Sequence, residues 1–437
     1  MNTRIPIRLP TLRDYSHDAR QIIIVSGLIA ISYFGVFALL RGLYLLRLGY
    51  DTSFLGTYYA TGALTFMSMG VPSGALGQRL GTRRVMLVGG WVVAGGMFLL
   101  PLAAGAPVAL ARLLPLASQV VTTIGWSMFS VNSVPALMLV TSDANRASAY
   151  ALTSVLRGIG TFLGTLLGGV LPAIVVRLIA TRVPVSIALE TAAPYAWALF
   201  VGAILGLSAI LPLSRIRGGL RPTATETKSV AKGAFPFSLV VGLIAYVFAR
   251  HMGWTTCQAY CSPYMDTDLA LSTSSIGALT SIGQIAAIIA TLLLPRMLRR
   301  WSHGSILAIT TGVQIGSLAL LAFVPHWSAA ALGLLGVQVS AAVWIPELQI
   351  YQMELVSEGW RGLAYGAVTM AMGLGFGSMS YFGGRLITAK GYARLFTIGA
   401  ALSAVATVLM VGISRWARAG ADATRVRPAG TEGVVAD

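Results

Sequence analysis

Four ionisable side chains lie deep inside long apolar stretches of the sequence: one acid, Glu347, and three bases, Arg41, Arg157 and Arg250. A charged side chain at the centre of a bilayer costs about 2.5–3.5 kcal/mol on insertion scales, so each is a candidate for binding or ion transfer. Burial at low dielectric constant favours a protonated carboxyl, which makes Glu347 a candidate proton carrier. A nearby arginine would keep it ionised, so a structural ion pair with Arg157 or Arg250 is the competing interpretation.

Aromatic residues flank two of these arginines at the spacing that places side chains on one helix face. The first set is Tyr33, Phe37 and Arg41, and the second is Tyr246, Arg250 and Trp254. Guanidinium groups stack on aromatic rings, so both sets suit cation–π contacts and the binding of a flat ligand. For Arg41, extension of the side chain to the outer membrane interface explains the position equally well.

A third set combines Glu347 with the aromatic residues Trp344 and Tyr351 on one helix face. Asn132 lies 215 residues before Glu347, so a polar side chain recurs at that interval. Arg157 shares a helix face with Gly160 and Gly164, and a gating or structural role suits it better than direct ligand binding.

The same interval of 215 residues relates two longer segments, "SDANRASAYALTSVLRGIGTFLGTLLGG" at 142–169 and "SEGWRGLAYGAVTMAMGLGFGSMSYFGG" at 357–384. Matching positions include Ser142 and Ser357, Arg146 and Arg361, Tyr150 and Tyr365, Gly160 and Gly375, and Gly169 and Gly384. Because the interval is about half of the 437 residues, the pattern indicates one unit written twice.

The composition places these residues in a membrane protein. Hydrophobic residues make up 56% of the chain, charged residues only 10%, and the mean hydropathy is +0.77. Soluble domains carry about 25% charged residues. Apolar runs of about 20 residues follow one another, and only helices satisfy their own backbone within lipid. We predict an all-α fold with twelve spans, near 22–46, 54–74, 84–104, 114–140, 148–176, 194–213, 235–261, 273–294, 304–324, 328–354, 362–386 and 393–414.

The net charge of +17 reflects membrane orientation rather than nucleic-acid binding. With the N-terminus in the cytoplasm, 21 of the 31 lysines and arginines fall on the cytoplasmic side, seven on the opposite side and three inside spans. This asymmetry follows the positive-inside rule and predicts that both termini are cytoplasmic. The compact loops favour a prokaryotic inner membrane.

One polar interruption, "SRIRGGLRPTATETKSVAKGA", is long enough to be a linker. We therefore predict an N-terminal six-helix half at 1–213, a cytoplasmic linker at 214–234, a C-terminal six-helix half at 235–414 and a cytoplasmic tail at 415–437. The repeat relates span 5 to span 11, which both run outward, so the halves are predicted to be parallel repeats.

Two motifs then resemble those of the major facilitator superfamily (MFS). The loop "GALGQRLGTRR" resembles the signature between spans 2 and 3, although Gln78 replaces its acidic residue. The segment "GTFLGTLLGG" resembles the antiporter motif of span 5, with Thr165 in place of a proline. The loop residues that match, or stand at, signature positions are Gly74, Gln78, Arg79, Gly81, Arg83 and Arg84.

The resemblance implies a central cavity lined by spans that include 1, 7 and 10, and a conformational gate at the span 2–3 loop. Gly160, Gly164 and Gly168 form a small-residue stripe, which lets another helix approach closely. The resemblance places this stripe where the two halves meet.

These observations predict a secondary active transporter that moves a small organic solute by alternating access. Proton-coupled export through Glu347 is the leading hypothesis, and uptake or exchange of organic anions through an arginine-lined cavity is the alternative. A non-transporting membrane sensor is a third class. The sequence contains no catalytic set and no Walker-type phosphate loop, so we expect no enzyme, no cofactor and no metal. The expected partners are a substrate, a proton or other coupling ion and the lipid bilayer, without nucleic acid, and the protein is expected to be a monomer.

Overall fold

The computed structural model describes residues 12, 15–179, 189–217, 237–356 and 360–425. Most of the predicted linker and the last part of the predicted tail lie outside this part of the chain. The described residues form helices and connecting turns, with no strands. The helices are α1 (His17–Arg47), α2 (Thr52–Leu80), α3 (Thr82–Leu99), α4 (Leu113–Val140), α5 (Asp143–Ile179), α6 (Ala193–Ser208, continued by Ile210–Ser214), α7 (Phe237–Thr267), α8 (Thr273–Leu298), α9 (His303–Phe323), α10 (Trp327–Leu355) and a final stretch, Arg361–Arg425.

The final stretch is divided by Gly391, which has a φ of 77° and a ψ of 171°. Its 65 residues would measure about 98 Å as one straight helix, about three times the hydrocarbon thickness of a bilayer. We therefore treat 361–390 as α11 and 392–425 as α12.

Ten stretches of the described residues are long and apolar enough to cross a membrane, and the final stretch is one of them. Helix α2 is not among the ten because threonine, serine, tyrosine and glycine lower its hydropathy, although its 29 residues are long enough to span. Counting α2, and α11 and α12 separately, gives the twelve helices predicted from sequence.

The helices pack as two groups, which we call the first half (15–217) and the second half (237–425). In the first half α1 packs on α5 and α6, and α4 packs on α2 and α3. In the second half α10 packs on α8 and α9, while α7 packs on the final stretch. Extensive packing between the halves joins α5 to α8 and α2 to the final stretch. The 215-residue repeat relates α2 to α8 and α5 to α11. The contact of α5 with α8 in one pairing therefore corresponds to the contact of α11 with α2 in the other.

We call the side of the bundle where α1 and α7 begin the near face, and the opposite side the far face. The near face is the one predicted to be cytoplasmic. Most of the described hydrogen bonds between the halves lie toward the far face, where Arg47 meets Asp266, Tyr195 meets Thr273, and Thr52 meets Gly384 and Thr388. Nearer the middle of the bundle, Ser281 of α8 donates to the carbonyl of Phe162 on α5. The two halves are therefore held together chiefly at the far face.

Two glycine contacts bring backbones together in the same region. The Cα atoms of Gly169 on α5 and Gly277 on α8 approach so closely that a methyl group on Gly277 would lie 2.6 Å from Gly169 Cα. On α2, a methyl group on Gly56 would clash with the carbonyl of Ser380 on α11. That carbonyl also accepts a hydrogen bond from Tyr260 on α7.

The glycine stripe of α5 packs inside the first half, not between the halves. A methyl group on Gly160 would lie 2.5 Å from the carbonyl of Gly27 on α1, and one on Gly164 would lie 2.1 Å from the carbonyl of Ile31. Gly168 faces Val36 in the same way. The location implied by the family resemblance, between the two halves, is therefore wrong for this stripe. Gly169, one residue after the stripe, lies on the neighbouring face of α5, and that face contacts α8. The stripe lies against a π-helical stretch of α1, Ala30–Phe37.

The turn between α2 and α3 consists of a single residue, Gly81, with a φ of 88°. A residue with a side chain would be strained in this left-handed conformation. Arg83 donates a hydrogen bond to the carbonyl of Ser214 at the end of α6. The other predicted gate residues, Gly74, Gln78, Arg79 and Arg84, lie on α2 and α3, and Gln78, Arg79 and Arg84 are exposed at the near face.

Asn132 of α4 faces α2 rather than a cavity. Its amide donates to the carbonyl of Ser73 at 3.0 Å, and a methyl group on Gly77 would overlap its side-chain oxygen. Asn132 is 2% exposed. The polar repeat of Asn132 and Glu347 thus joins helices within each half.

Candidate solute site

Arg157 provides an accessible cation in the first half. Its guanidinium lies over the ring of Phe34 on α1 at 5.9 Å and over that of Trp126 on α4 at 6.0 Å. Tyr33 stacks on Trp126, with ring centroids 5.4 Å apart. Arg157 is exposed and has no carboxylate within ion-pair distance among the described residues. This is the geometry of a stacking platform beside a positive charge.

Arg41 lies further toward the far face on α1 and turns inward. Its guanidinium is 5.0 Å from the ring of Tyr59 on α2 and 5.9 Å from that of Phe37. The hydroxyls of Tyr33, Tyr58 and Tyr59 are its electrostatic partners. The side chain is therefore held by aromatic residues rather than extended to the membrane interface.

Arg250 occupies the middle of α7 and is 0% exposed. Its guanidinium lies 3.9 Å above the ring of Trp344 on α10, while Nε and one terminal nitrogen, Nη2, are buried without a hydrogen-bond partner. The indole nitrogen of Trp344 donates to the hydroxyl of Tyr246 at 2.6 Å, and Gln314 of α9 donates to the carbonyl of Arg250 at 3.1 Å. Trp344 is therefore fixed as the platform on which Arg250 stacks.

Beside Arg250, the ring of His251 lies 4.7 Å from that of Trp254 and 6.3 Å from that of Trp344. Trp254 in turn contacts Phe376 of α11 at 6.2 Å. The predicted aromatic face of α7 thus connects α10 with α11. The Nδ1 atom of His251 is buried without a hydrogen-bond partner.

The three arginines predicted to lie inside spans, Arg41, Arg157 and Arg250, all pack on aromatic rings and share one chemical property: in the described part of the chain no carboxylate lies within ion-pair distance of any of them. An unpaired buried charge is costly, whereas cation–π contacts return only about 0.5–2 kcal/mol each. These arginines therefore retain positive potential that an anionic solute would neutralise.

Glu347 has a different partner from the arginines predicted for it. It is 0% exposed, and its Oε1 atom lies 2.5 Å from Nδ1 of His303 at the start of α9. Neither Arg157 nor Arg250 is its partner, which corrects the ion-pair interpretation. The physical reason is helix rotation: the face of α10 that carries Glu347 turns toward α9, and Arg250 stacks on Trp344 one turn away.

Another face of α10, together with the start of α11, lines an open cavity at the surface of the second half. A cavity of about 610 Å³ near the near face is bounded by Pro346, Gln349, Ile350, Met353 and Glu354 of α10 and by Arg361 and Tyr365 of α11. Tyr351, predicted to line a central cavity, is 9% exposed and packs within the second half. Arg361 and Tyr365 were missed as site candidates, although both belong to the repeated segment.

The far-face pair Arg47 and Asp266 was also missed. Two hydrogen bonds of 2.8 Å join the guanidinium and the carboxylate, and Arg47 Nε donates to the carbonyl of Leu189 at 3.2 Å. The sequence signal was weak because both residues stand at span ends, where charged side chains are common.

Comparisons with known proteins agree with this architecture. The sequence profile described as the Major Facilitator Superfamily matches residues 22–378. The chain belongs to the major facilitator superfamily. A comparison with curated protein sequences gives no match.

Solved structures of MFS transporters have the same fold. The xylose transporter XylE from E. coli, in an inward-open conformation, is 16% identical with a TM-score of 0.69, covering 90% of this chain and 95% of XylE. The nucleoside transporter NupG is 14% identical with a TM-score of 0.68, covering 92% and 100%. A bacterial homologue of the iron transporter ferroportin, in an inward-facing state, is 13% identical with a TM-score of 0.66, covering 91% and 98%. At these identities the similarity shows the fold. This MFS protein is an integral multi-pass membrane protein of the transporter class.

Proposed function

We propose that this MFS protein carries an organic anion by alternating access between its two halves. The observation that carries the proposal is Arg157, an exposed guanidinium above Phe34 and Trp126 with no carboxylate partner among the described residues. Arg250 supplies a second cation in the other half, stacked on Trp344. One cation in each half allows a solute to bind both halves and to follow their movement.

The anion hypothesis is favoured over proton-coupled export of lipophilic compounds by the position of Glu347. A carrier of lipophilic cations needs a carboxylate that faces the solute. Glu347 is fully buried and bonded to His303, so its charge is directed away from the cavity. Arg157, by contrast, is exposed and has no carboxylate partner among the described residues.

The proposal also assigns the structure to one state of the transport cycle, and the far-face contacts support that assignment. One ion pair, Arg47–Asp266, and tight glycine contacts join the halves at the far face, and the surface cavity at α10 and α11 lies toward the near face. With the near face in the cytoplasm, as the charge distribution predicts, this is an inward-facing state.

A thermal-shift screen of the purified protein tests the proposal. We expect aromatic carboxylates or organic phosphates to stabilise the wild type, by about 2.7 kcal/mol at 100 times the Kd. Loss of one charge-assisted contact costs about 1.5–3 kcal/mol, so Arg157→Gln and Arg250→Gln should each weaken binding by about 10- to 150-fold. Arg84→Gln removes the same charge from the exposed near face and should leave binding unchanged.

Counterflow in proteoliposomes then separates carriage from binding, with any stabilising anion as the tracer. Accumulation of labelled anion driven by unlabelled anion inside is expected for the wild type and lost in Arg157→Gln. Stabilisation by lipophilic cations alone, abolished by Glu347→Gln, would contradict the proposal and restore the export hypothesis. Binding without counterflow would indicate the sensor class.

A further inference from the structure

Three titratable side chains form a line at the near face of the second half. Nδ1 of His303 lies 2.5 Å from Oε1 of Glu347, and the other ring nitrogen, Nε2, lies 3.3 Å from Oε2 of Glu354. Side-chain exposure falls along this line, from 59% for Glu354 through 29% for His303 to 0% for Glu347. The line therefore leads from solvent to a fully buried acid.

Glu347 lies eight residues before the end of α10, which is about 12 Å inside the helix. Its second oxygen, Oε2, is buried without a hydrogen-bond partner. A carboxylate with one oxygen bonded to an imidazole and the other unpaired can accept a proton without breaking another contact.

The two acids of this line pair with the histidine between them. In the described part of the chain, Glu347 and Glu354 make their ion pairs with His303 alone. In the near-face halves of these helices the other charged or titratable groups are Tyr246, Arg250 and His251 on α7, Arg296 on α8 with Arg299 and Arg300 just after it, Tyr351 on α10, Arg361 and Tyr365 on α11, and Arg415, Arg418, Asp422 and Arg425 on α12. Arg250 and Tyr246 are engaged with Trp344.

We propose that Glu354, His303 and Glu347 form the proton path of this carrier, with Glu347 as the buried proton-holding site. The starting state has a proton on Glu354, a neutral imidazole protonated at Nδ1, and ionised Glu347. Glu354 gives its proton to Nε2 as Nδ1–H passes to Oε1 of Glu347. The product has protonated Glu347, the Nε2–H tautomer and ionised Glu354, and solvent supplies the next proton to Glu354.

The inference rests on the proposed function only in assuming that the chain is a carrier, and it names the coupling ion. The link to the solute site is Trp344, which lies one helical turn before Glu347 on α10 and carries the guanidinium of Arg250 on its face. Protonation of Glu347 changes the charge one turn from that platform, so proton and anion binding are expected to influence each other.

Infrared spectroscopy of the full-length, ligand-free protein in lipid tests the path, with protons as the probe. Acidification should produce a protonated-carboxyl band that Glu347→Gln removes and Glu347→Asp shifts. After a rapid drop in pH the band should rise at least tenfold more slowly in His303→Gln than in the wild type. His326→Gln, which alters a histidine outside the line, is the matched control and should rise at the wild-type rate.

Two results would overturn the inference: a carboxyl band that persists unchanged in Glu347→Gln, or equal rates in His303→Gln and His326→Gln. Thermal melting of each variant checks that it is folded, and Glu347→Asp keeps the test valid if Glu347→Gln fails to fold. Anion stabilisation measured on His303→Gln separates the two proposals. If His303→Gln still binds the anion but its carboxyl band rises slowly, both proposals are supported. Loss of anion binding in Arg157→Gln tests the solute site and leaves the proton path unaffected.

Discussion

Replacing Gly164 with alanine is expected to destabilise the protein by about 3 kcal/mol or more. The new methyl group would lie 2.1 Å from the carbonyl oxygen of Ile31, so the α1 or α5 backbone must move. Overpacking costs about 1–3 kcal/mol even where side chains can adjust, and a backbone atom cannot rotate away. Scanning fluorimetry of the purified protein in detergent measures the loss of melting temperature.

A glycine on α1, Gly35, provides a parallel test from the other side of this contact. Gly35→Ala would place a methyl group 2.4 Å from Gly164 Cα and should be as damaging. Gly95→Ala is the control, because no atom lies within 4 Å of its added methyl group and alanine has the higher helix propensity. Equal melting temperatures for Gly164→Ala and Gly95→Ala would refute the close approach of α1 and α5.

Removing one partner of the Arg47–Asp266 pair is expected to open the far face. The carboxylate is 2% exposed and the guanidinium 24%, so truncating one side chain leaves the other poorly solvated while the far face is closed. A charge-assisted contact contributes about 1.5–3 kcal/mol, which corresponds to a shift of about 10- to 150-fold between closed and open states. Asp266→Asn should therefore populate a state that is open at the far face.

Spin labels at Gly105 and Lys390, two exposed far-face positions in different halves, report this opening as an increase in their distance. Arg112→Gln removes an exposed far-face charge that has no carboxylate partner among the described residues, and it should leave the distance unchanged. In the double variant Arg47→Gln/Asp266→Asn neither charge remains buried alone, so part of the closed state should return. Unaltered distances in both single variants would show that the pair does not hold the far face.

Much of the fold was predictable because apolar length and charge asymmetry report directly on the bilayer. The family and the general transporter class followed from a loop signature, a glycine segment and a repeat, and the sequence profile and the structural neighbours confirm them. Phe37, which contacts Arg41 from the same helix, was also accessible from sequence, whereas Trp344, on which Arg250 stacks, lies on another helix and was predicted only to share a face with Glu347. The domain boundaries stay predictions.

The partner of Glu347 was not predictable, because His303 lies 44 residues away on another helix and stands at a helix start, where a histidine attracts no notice. The rotation of α10 about its axis determines which helix Glu347 contacts. The spacing of Trp344, Glu347 and Tyr351 defines a helix face, but it does not say which neighbouring helix that face meets. The same limit applies to Gly164 and Gly169, five residues apart, which meet α1 and α8 respectively.

The single residue Gly391 between α11 and α12 has a mechanical consequence. Because only one residue connects the two helices, their adjoining ends stay together. We therefore expect α12 to follow when α11 tilts away from α2, so that the two helices move together as one hairpin about the contact between Gly56 and Ser380. The final stretch packs on α9 and on α7, the helix that carries Arg250. A displacement at the contact between Gly56 and Ser380 is therefore expected to shift Arg250 as well.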